Sequence, residues 1–310
     1  MDARRTWPTS PTLILLALLF AFACADKSSD KSSNSNNTPA AKSDGKTSAI
    51  LDLNQNKPCL SDEDVNEAVK VVLSSMAPVI QSLPRELIPE RTISDRNLSL
   101  AVSAWKDPVL TLEVNGRSCN EGLSRDGLLL LLCHEIGHVA GGAPTRYFVY
   151  RNIPFSVEGQ ADYFATSVCL PHVMKNMDNS SFLSSAEKNG DLQRICADAQ
   201  GERELALCSR ISLASLNAAQ FLHRIWDTNF MKKQPGEIPS LHAHEDSVVS
   251  ITNEGYPVPQ CRLDTYVAGL KCRAKGTPRS YVTAPDAETS CGAPAFKAKR
   301  PSCWYREPSS

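Results

Sequence analysis

From Ser61 to about Ser82 apolar residues return every three or four positions. Val65, Ala68, Val69, Val72, Leu73 and Met76 form one stripe behind a Ser61/Asp64 start signal, which predicts a scaffold helix. Pro84 and Pro89 break the chain after it. Asn97–Ala104 and Val109–Val114 alternate instead, the pattern of strands, and Asn115-Gly116 is a turn signal. Leu128–Cys133 is apolar at every position, with Ser124 placed to cap a helix running to about Ala140 and Gly141-Gly142 to stop it. A helix apolar all round is buried. A second helix is predicted to start near Pro154 and to end before Pro171. Residues 171–232 read as helical with polar interruptions. Within them Leu205–Trp226 carries Leu207, Ile211, Leu213, Leu216, Ala219, Leu222 and Ile225 as a core stripe, and His223 among them reads as structural. Beyond about Ile251 the period fades. Tyr256–Ser310 holds four cysteines and seven prolines, which predicts a disulfide-stapled extension with no evident chemistry.

The ends and the composition set the compartment. Arg4 and Arg5 precede an apolar run, Leu13–Ala23, that is too short to span a membrane comfortably. Ala21-Phe22-Ala23 is a small-x-small cleavage site and Cys24 follows it directly. These features predict a signal peptide over 1–23 and a lipid anchor on Cys24, with plain secretion as the alternative. Residues 24–49 are rich in Ser, Asn, Lys and Asp and predict a disordered tether. The remaining segments are a main domain over 50–250 and the extension over 251–310. Eleven cysteines leave ten after Cys24, an even number that suits up to five disulfides in an oxidising compartment. Cys261–Cys272 and Cys291–Cys303 are the shortest pairings, and Cys133, inside the apolar helix, is expected as a free core thiol. With 33 basic against 34 acidic residues and no basic block, nucleic acid is not an expected partner. Asn36, Asn97 and Asn179 fit Asn-x-Ser/Thr, which matters only on a eukaryotic secretory route.

The chemistry gathers at His134-Glu135-Ile136-Gly137-His138. On a helix, positions i and i+4 share a face, so His134 and His138 can aim at one point. Two histidines at the end of a buried helix need partners, and a metal is the usual one. Glu135 sits one step round, within reach of a water on such a metal. Twenty residues on, Glu158 and Asp162 are four apart and share a face. Glu158 is the expected third ligand; Asp162 would accept a hydrogen bond from the far nitrogen of a ligand histidine, His134 first. Pro144 stands where a metzincin would have its third histidine.

His-Glu-x-x-His followed by Glu-x-x-x-Asp resembles the signature of the gluzincins, the thermolysin-like clan of zinc metallopeptidases. The alanine and aromatics after Asp162 resemble the family that includes the CAAX prenyl-protein endopeptidases. The resemblance covers roughly 93–170 and extends toward 245. It implies an α+β, mostly helical zincin-like domain over 50–250, with an active-site helix and a small sheet. It implies an edge strand, Val109–Val114, that pairs with extended substrate. It implies Zn²⁺ held by His134, His138 and Glu158, with Glu135 as general base to a zinc-activated water. A histidine segment beyond the metal helices borders the cleft in that family. It corresponds to Pro239–Asp246, where His242, flanked by Leu241 and Ala243 that would hold it inward, is the better candidate for the oxyanion over His244. Tyr147 and Tyr150 are weaker ones.

The expected activity is hydrolysis of a protein or peptide substrate in a bacterial cell envelope, by a membrane-anchored enzyme of undetermined oligomeric state. The main rival is a non-catalytic zinc-stabilised envelope lipoprotein that binds a partner, its metal closed by His242 or His244 as a fourth ligand. A metal-dependent hydrolase of a non-peptide bond, such as a cell-wall amide, is a further alternative.

Overall fold

The structure, a computed structural model, describes residues 60–84, 89–94, 100–103, 110–115, 122–147, 154–226, 228–272, 278–283 and 299–307. The signal peptide, the tether and Cys24 lie outside them, as do Tyr150, Cys59, Cys119 and Cys291. The described chain is mostly helical, with two small sheets.

Helix α1, Asp62–Gln81, begins at a capping box in which Ser61 and Asp64 satisfy each other's backbone N–H groups. Its stripe, Val65, Ala68, Val69, Val72, Met76 and Val79, is buried. It packs on α2, Arg125–Ala140. The capping oxygen of Ser124 accepts from Gly127 N at 3.0 Å, and Asn217 Oδ1 accepts from Ser124 N at 2.9 Å, which ties the start of α2 to a third helix. That helix, the 23-residue Glu202–Arg224, is long and apolar enough to cross a membrane, and its apolar side is packed in the core. We label it α7, after α3 (Glu158–Phe164), α4 (Leu170–Met174), α5 (Leu183–Lys188) and α6 (Gly190–Ile195). Leu128–Leu132 are buried with α1, α3 and α7 around them, which is what a helix without a polar face requires.

Strands β1 (Pro89–Ser94), β2 (Leu100–Ser103) and β3 (Leu110–Asn115) form a three-stranded sheet in the order β1-β3-β2. β3 pairs in parallel with β1 and antiparallel with β2. Both sides of β3 are therefore occupied, and it has no edge for a substrate strand; this corrects the expectation for Val109–Val114.

Three further differences have local causes. Pro154 lies not in a helix but in β5 (Pro154–Ser156), antiparallel to β4 (Thr145–Tyr147). Pro171 does not end the second helix. A π-turn, Ala165–Cys169, carries α3 into α4, loosening the ladder just before the residue that has no N–H to give it. Pro259–Lys271, within the extension, forms helix α9, after the short α8 (Thr228–Met231). Its Leu263, Tyr266 and Leu270 belong to the same core as α2 and α7.

The cysteines also pair differently. Cys133 is bonded to Cys169 and is not a free thiol; Cys196 is bonded to Cys208, and Cys261 to Cys303. Cys261 and Cys272 both belong to α9 and its cap, where eleven residues span about 16 Å. A disulfide tolerates less than 7 Å between Cα atoms. Cys272 is itself disulfide-bonded. Asn179 is buried, donating to Met174 O and Met177 O and accepting from Arg210, so its side chain is a structural one.

The Cys133–Cys169 bond closes a loop of 36 residues between α2 and the π-turn. Replacing both cysteines by alanine is expected to lower stability by roughly 2–4 kcal/mol. Urea unfolding measures this, and an unchanged midpoint would refute the bond.

Candidate metal centre

The last two turns of α2 carry His134, Glu135 and His138, and the first turn of α3 carries Glu158. The two helices approach closely at Gly137, where a Cβ would lie 2.6 Å from the carbonyl oxygen of Ala161. No side chain fits there, and the absence of one is what lets Glu158 and Asp162 face the imidazoles. His134 Nε2 is 3.4 Å from Glu158 Oε2, and His138 Nε2 is 3.7 Å from Glu158 Oε1. One ligand atom from each residue lies within 4.8 Å of the others, a group that could hold a metal ion.

The far nitrogens decide what these atoms offer. His138 Nδ1 is 2.8 Å from the carbonyl oxygen of Ser156, which can only accept. Nδ1 therefore carries hydrogen, and in the neutral ring Nε2 keeps its lone pair. His134 Nδ1 is 2.8 Å from Asp162 Oδ1, which fixes that ring in the same way. Arg262 Nη2 lies 3.2 Å from the same Nδ1, a close neighbour rather than a second hydrogen bond once the nitrogen donates. Two nitrogen lone pairs and a carboxylate thus converge, with guanidinium nitrogens at their margin: Arg262 Nη2 is 3.5 Å from His134 Nε2 and 3.9 Å from Glu158 Oε2. A metal cation held between them would be met by all three acceptors. Bonds of ~2.0–2.1 Å at tetrahedral angles put ligand atoms about 3.3 Å apart, close to the 3.4 and 3.7 Å found here. The residues present fit a metal.

Without one, a proton takes part of its place. Burial opposes charging His134, but the charge and hydrogen bond of Asp162 outweigh it and lift the imidazole to about 9. Burial is the dominant effect on His138 and holds it below the ordinary imidazole range, with the Glu158 charge pulling the other way. Burial would raise Glu158, yet His138, His134 and Arg262 hold it well below the usual carboxylate range. Asp162 is likewise depressed against its burial by Arg262 and His134.

Glu135 is buried beside the group, with Oε1 4.0 Å from His134 Nε2. His242 and His244 are not brought to it. Leu241 is buried, but the His242 side chain is 74% exposed, beside Ser240 and Asp191, and the exposed His244 sits by Asp264. The expectation that Leu241 and Ala243 hold His242 inward is corrected: alternate residues of this segment face opposite ways. His223 contacts the carbonyl of Gly236, and Tyr147 is exposed.

Three residues at the site escape a motif reading. Arg262 on α9 is buried and holds Asp162 through Nε and Nη2, at 2.8 and 2.6 Å. Arg146 on β4 brings Nη2 to 3.7 Å from Glu158 Oε1. Burial, then the charges of Glu158 and Glu135, push the Tyr256 phenol well up, so it stays protonated. Arg262 alone had a signal: Pro259, Arg262, Leu263, Tyr266 and Leu270 recur at helical spacing behind a proline start.

No family model, curated protein or solved structure matches this chain.

Gly137→Ala is expected to push α3 from α2 and weaken metal binding about tenfold or more. Gly190→Ala, with open space around it, is the control. Competition with a chromophoric chelator reads both. The pH dependence has a definite sign. His134 must lose its Nε2 proton to bind a metal, so affinity rises about tenfold per pH unit up to about 9 and levels off above it. Titration calorimetry in buffers of different ionisation enthalpy should count close to one proton released per ion near neutral pH.

Proposed function

We propose that this chain is a zinc-dependent metallopeptidase with His134, His138 and Glu158 as ligands. The observation that carries the reading is the convergence of two oriented Nε2 atoms and the Glu158 carboxylate, with the Glu135 carboxylate alongside. Two imidazoles and one carboxylate suit zinc, and three protein ligands leave a position for a reacting water. Bound there, zinc would supply a Lewis acid that acidifies the water and polarises the scissile carbonyl. Glu135 takes the water's proton as the attack proceeds and returns it to the leaving amine. Asp162 holds the His134 ring through Nδ1, and the Ser156 carbonyl does the same for His138. Arg262 balances Asp162 in a buried setting. Tyr256, a buried phenol that burial and the charges of Glu158 and Glu135 keep protonated, replaces the exposed His242 as the candidate donor to the developing oxyanion. The likeness to gluzincins supports the same assignment.

The rival, a closed structural zinc site in a binding protein, needs a fourth side chain. Exposed His242 and His244, paired with Asp191 and Asp264, do not favour it. We further propose export to the cell envelope with a lipid on Cys24. Three disulfides, with a fourth implied at Cys272, support an oxidising compartment.

Glu135→Gln is expected to cut kcat on a peptide library by roughly 10²–10⁴ while one zinc per chain remains. Glu158→Ala should lower zinc content sharply. Retained hydrolysis in the first variant, or full zinc in the second, overturns the assignment.

A further inference from the structure

The site holds two guanidinium groups, and they differ in what they have left to offer. Arg262 is buried and spends Nε and Nη2 on Asp162. Arg146 is the other case. It faces Phe155 across the β4–β5 pair, and Phe155 is buried, so its stem starts on the inner face, while the next residue, Tyr147, points to solvent. Its head is anchored by one hydrogen bond, Nη1 to the carbonyl of Glu254 at 3.3 Å. Nη2 stands 3.7 Å from Glu158 Oε1, close enough for attraction but too far for a hydrogen bond. The side chain is 29% exposed. A guanidinium has five N–H donors, and among the described residues Arg146 uses one of them. It is therefore a fixed, accessible cation at the rim of the metal group with most of its fork unspent. A carboxylate matches that fork in plane and in charge.

The distance selects which carboxylate. Adding an ordinary charge-assisted hydrogen bond of ~2.8 Å to the 3.7 Å gap puts an oxygen bound on Nη2 within about 6.5 Å of Glu158 Oε1. One residue of peptide spans about 3.3–3.6 Å. A carboxylate one residue beyond a carbonyl held at the ligand group falls inside that reach. The structure assigns Arg146 as the specificity residue: it binds the free C-terminal carboxylate of a peptide whose last bond is cut, which makes the site that of a carboxypeptidase. This deepens, and rests on, the metallopeptidase reading above. Arg146 also gains a positioning role through Glu254, since that carbonyl lies two residues before Tyr256.

The test uses the full chain loaded with metal and matched N-blocked tripeptides ending in a free carboxylate or in an amide. The wild type is expected to show a kcat/KM for the acid about tenfold or more above that for the amide, the ratio one charge-assisted hydrogen bond supplies. Arg146→Gln should bring the ratio to about one, with the change for the acid mainly in KM. A wild type without the preference, or an Arg146→Gln variant that keeps it, overturns the proposal. So does a variant that no longer holds the metal, because Arg146 would then be a support of the ligand group. If the wild type cleaves neither peptide, the peptidase reading fails, and the subsite is decided by binding alone. Succinate and acetate are titrated into the cobalt-loaded protein and followed in its visible spectrum. One succinate carboxylate can reach the metal while the other reaches Arg146. Arg146→Gln should weaken succinate about tenfold or more relative to acetate; equal weakening of both, or none, overturns the subsite.

Discussion

The structure turns on a contact made by a residue with no side chain. Gly137 lies between the two histidines of α2, and its bare face receives the backbone of α3 at Ala161. Any larger residue would hold the helices apart by the width of a methyl group. Ligand sites tolerate errors of only a few tenths of an ångström. The sequence spacing of His134 and His138 puts two imidazoles on one face, but that spacing alone brings no third group to them. The approach at Gly137 does, and the buried run Leu128–Leu132 fixes the helix that carries it.

Around this contact sits a group of charges that stability alone does not explain. His134, Glu135, Glu158, Asp162 and Arg262 are all buried. Removing such groups from water costs several kcal/mol each, and apolar residues of the same shape would give an equally firm core. Their arrangement is ordered by need. Asp162 and Ser156 O orient the rings, Arg262 offsets Asp162, and Glu158 is left facing two nitrogens. Each group that does not face the gap serves one that does. Ionisable residues buried and perturbed in this pattern make a candidate functional site with a stated physical basis.

What the sequence discloses follows from the range of each interaction. The helices α1 and α2, their caps and the i, i+4 pairs at 134/138 and 158/162 are local, so period and spacing reveal them. The partners of β3 are not local. Alternation marks a strand but says nothing about its place in the sheet, and the strand expected at the edge lies in the middle. Cysteine pairing misled for the same reason. Closeness in sequence stood in for closeness in space, yet α9 separates Cys261 from Cys272 by its own length. Tyr256 and Arg146 have neighbours too irregular for any motif, and only folding brings them to Glu158. His242 shows the converse: a residue flanked by apolar neighbours in sequence can still face water when it sits in a turn.

The C-terminal stretch gains its meaning from where it lands. Trp304 lies flat on Gly159, where a Cβ would come within 2.2 Å of the ring, so the residue after Glu158 is bare because an indole covers it. Cys303, beside that tryptophan, is bonded to Cys261, beside Arg262. One covalent bond thus joins the wall behind the carboxylate ligand to the guanidinium that steadies Asp162. Arg300 continues the same wall, donating from Nε to Gln160 Oε1, while Gln160 Nε2 donates to the carbonyl of Gly141 at the end of α2. The end of α2, the start of α3 and the tail are in this way held as one body. A hydrogen-bonded pair of helices would breathe on its own. A tail bonded to α9 by the disulfide, stacked on α3 at Gly159 and linked through Arg300 and Gln160 to the end of α2 limits that motion where the candidate ligands need their spacing kept. Periodicity and composition mark 251–310 as an extension without chemistry. Its residues do not touch the candidate ligands for the most part, but through Arg262 and Trp304 they determine where those ligands stand.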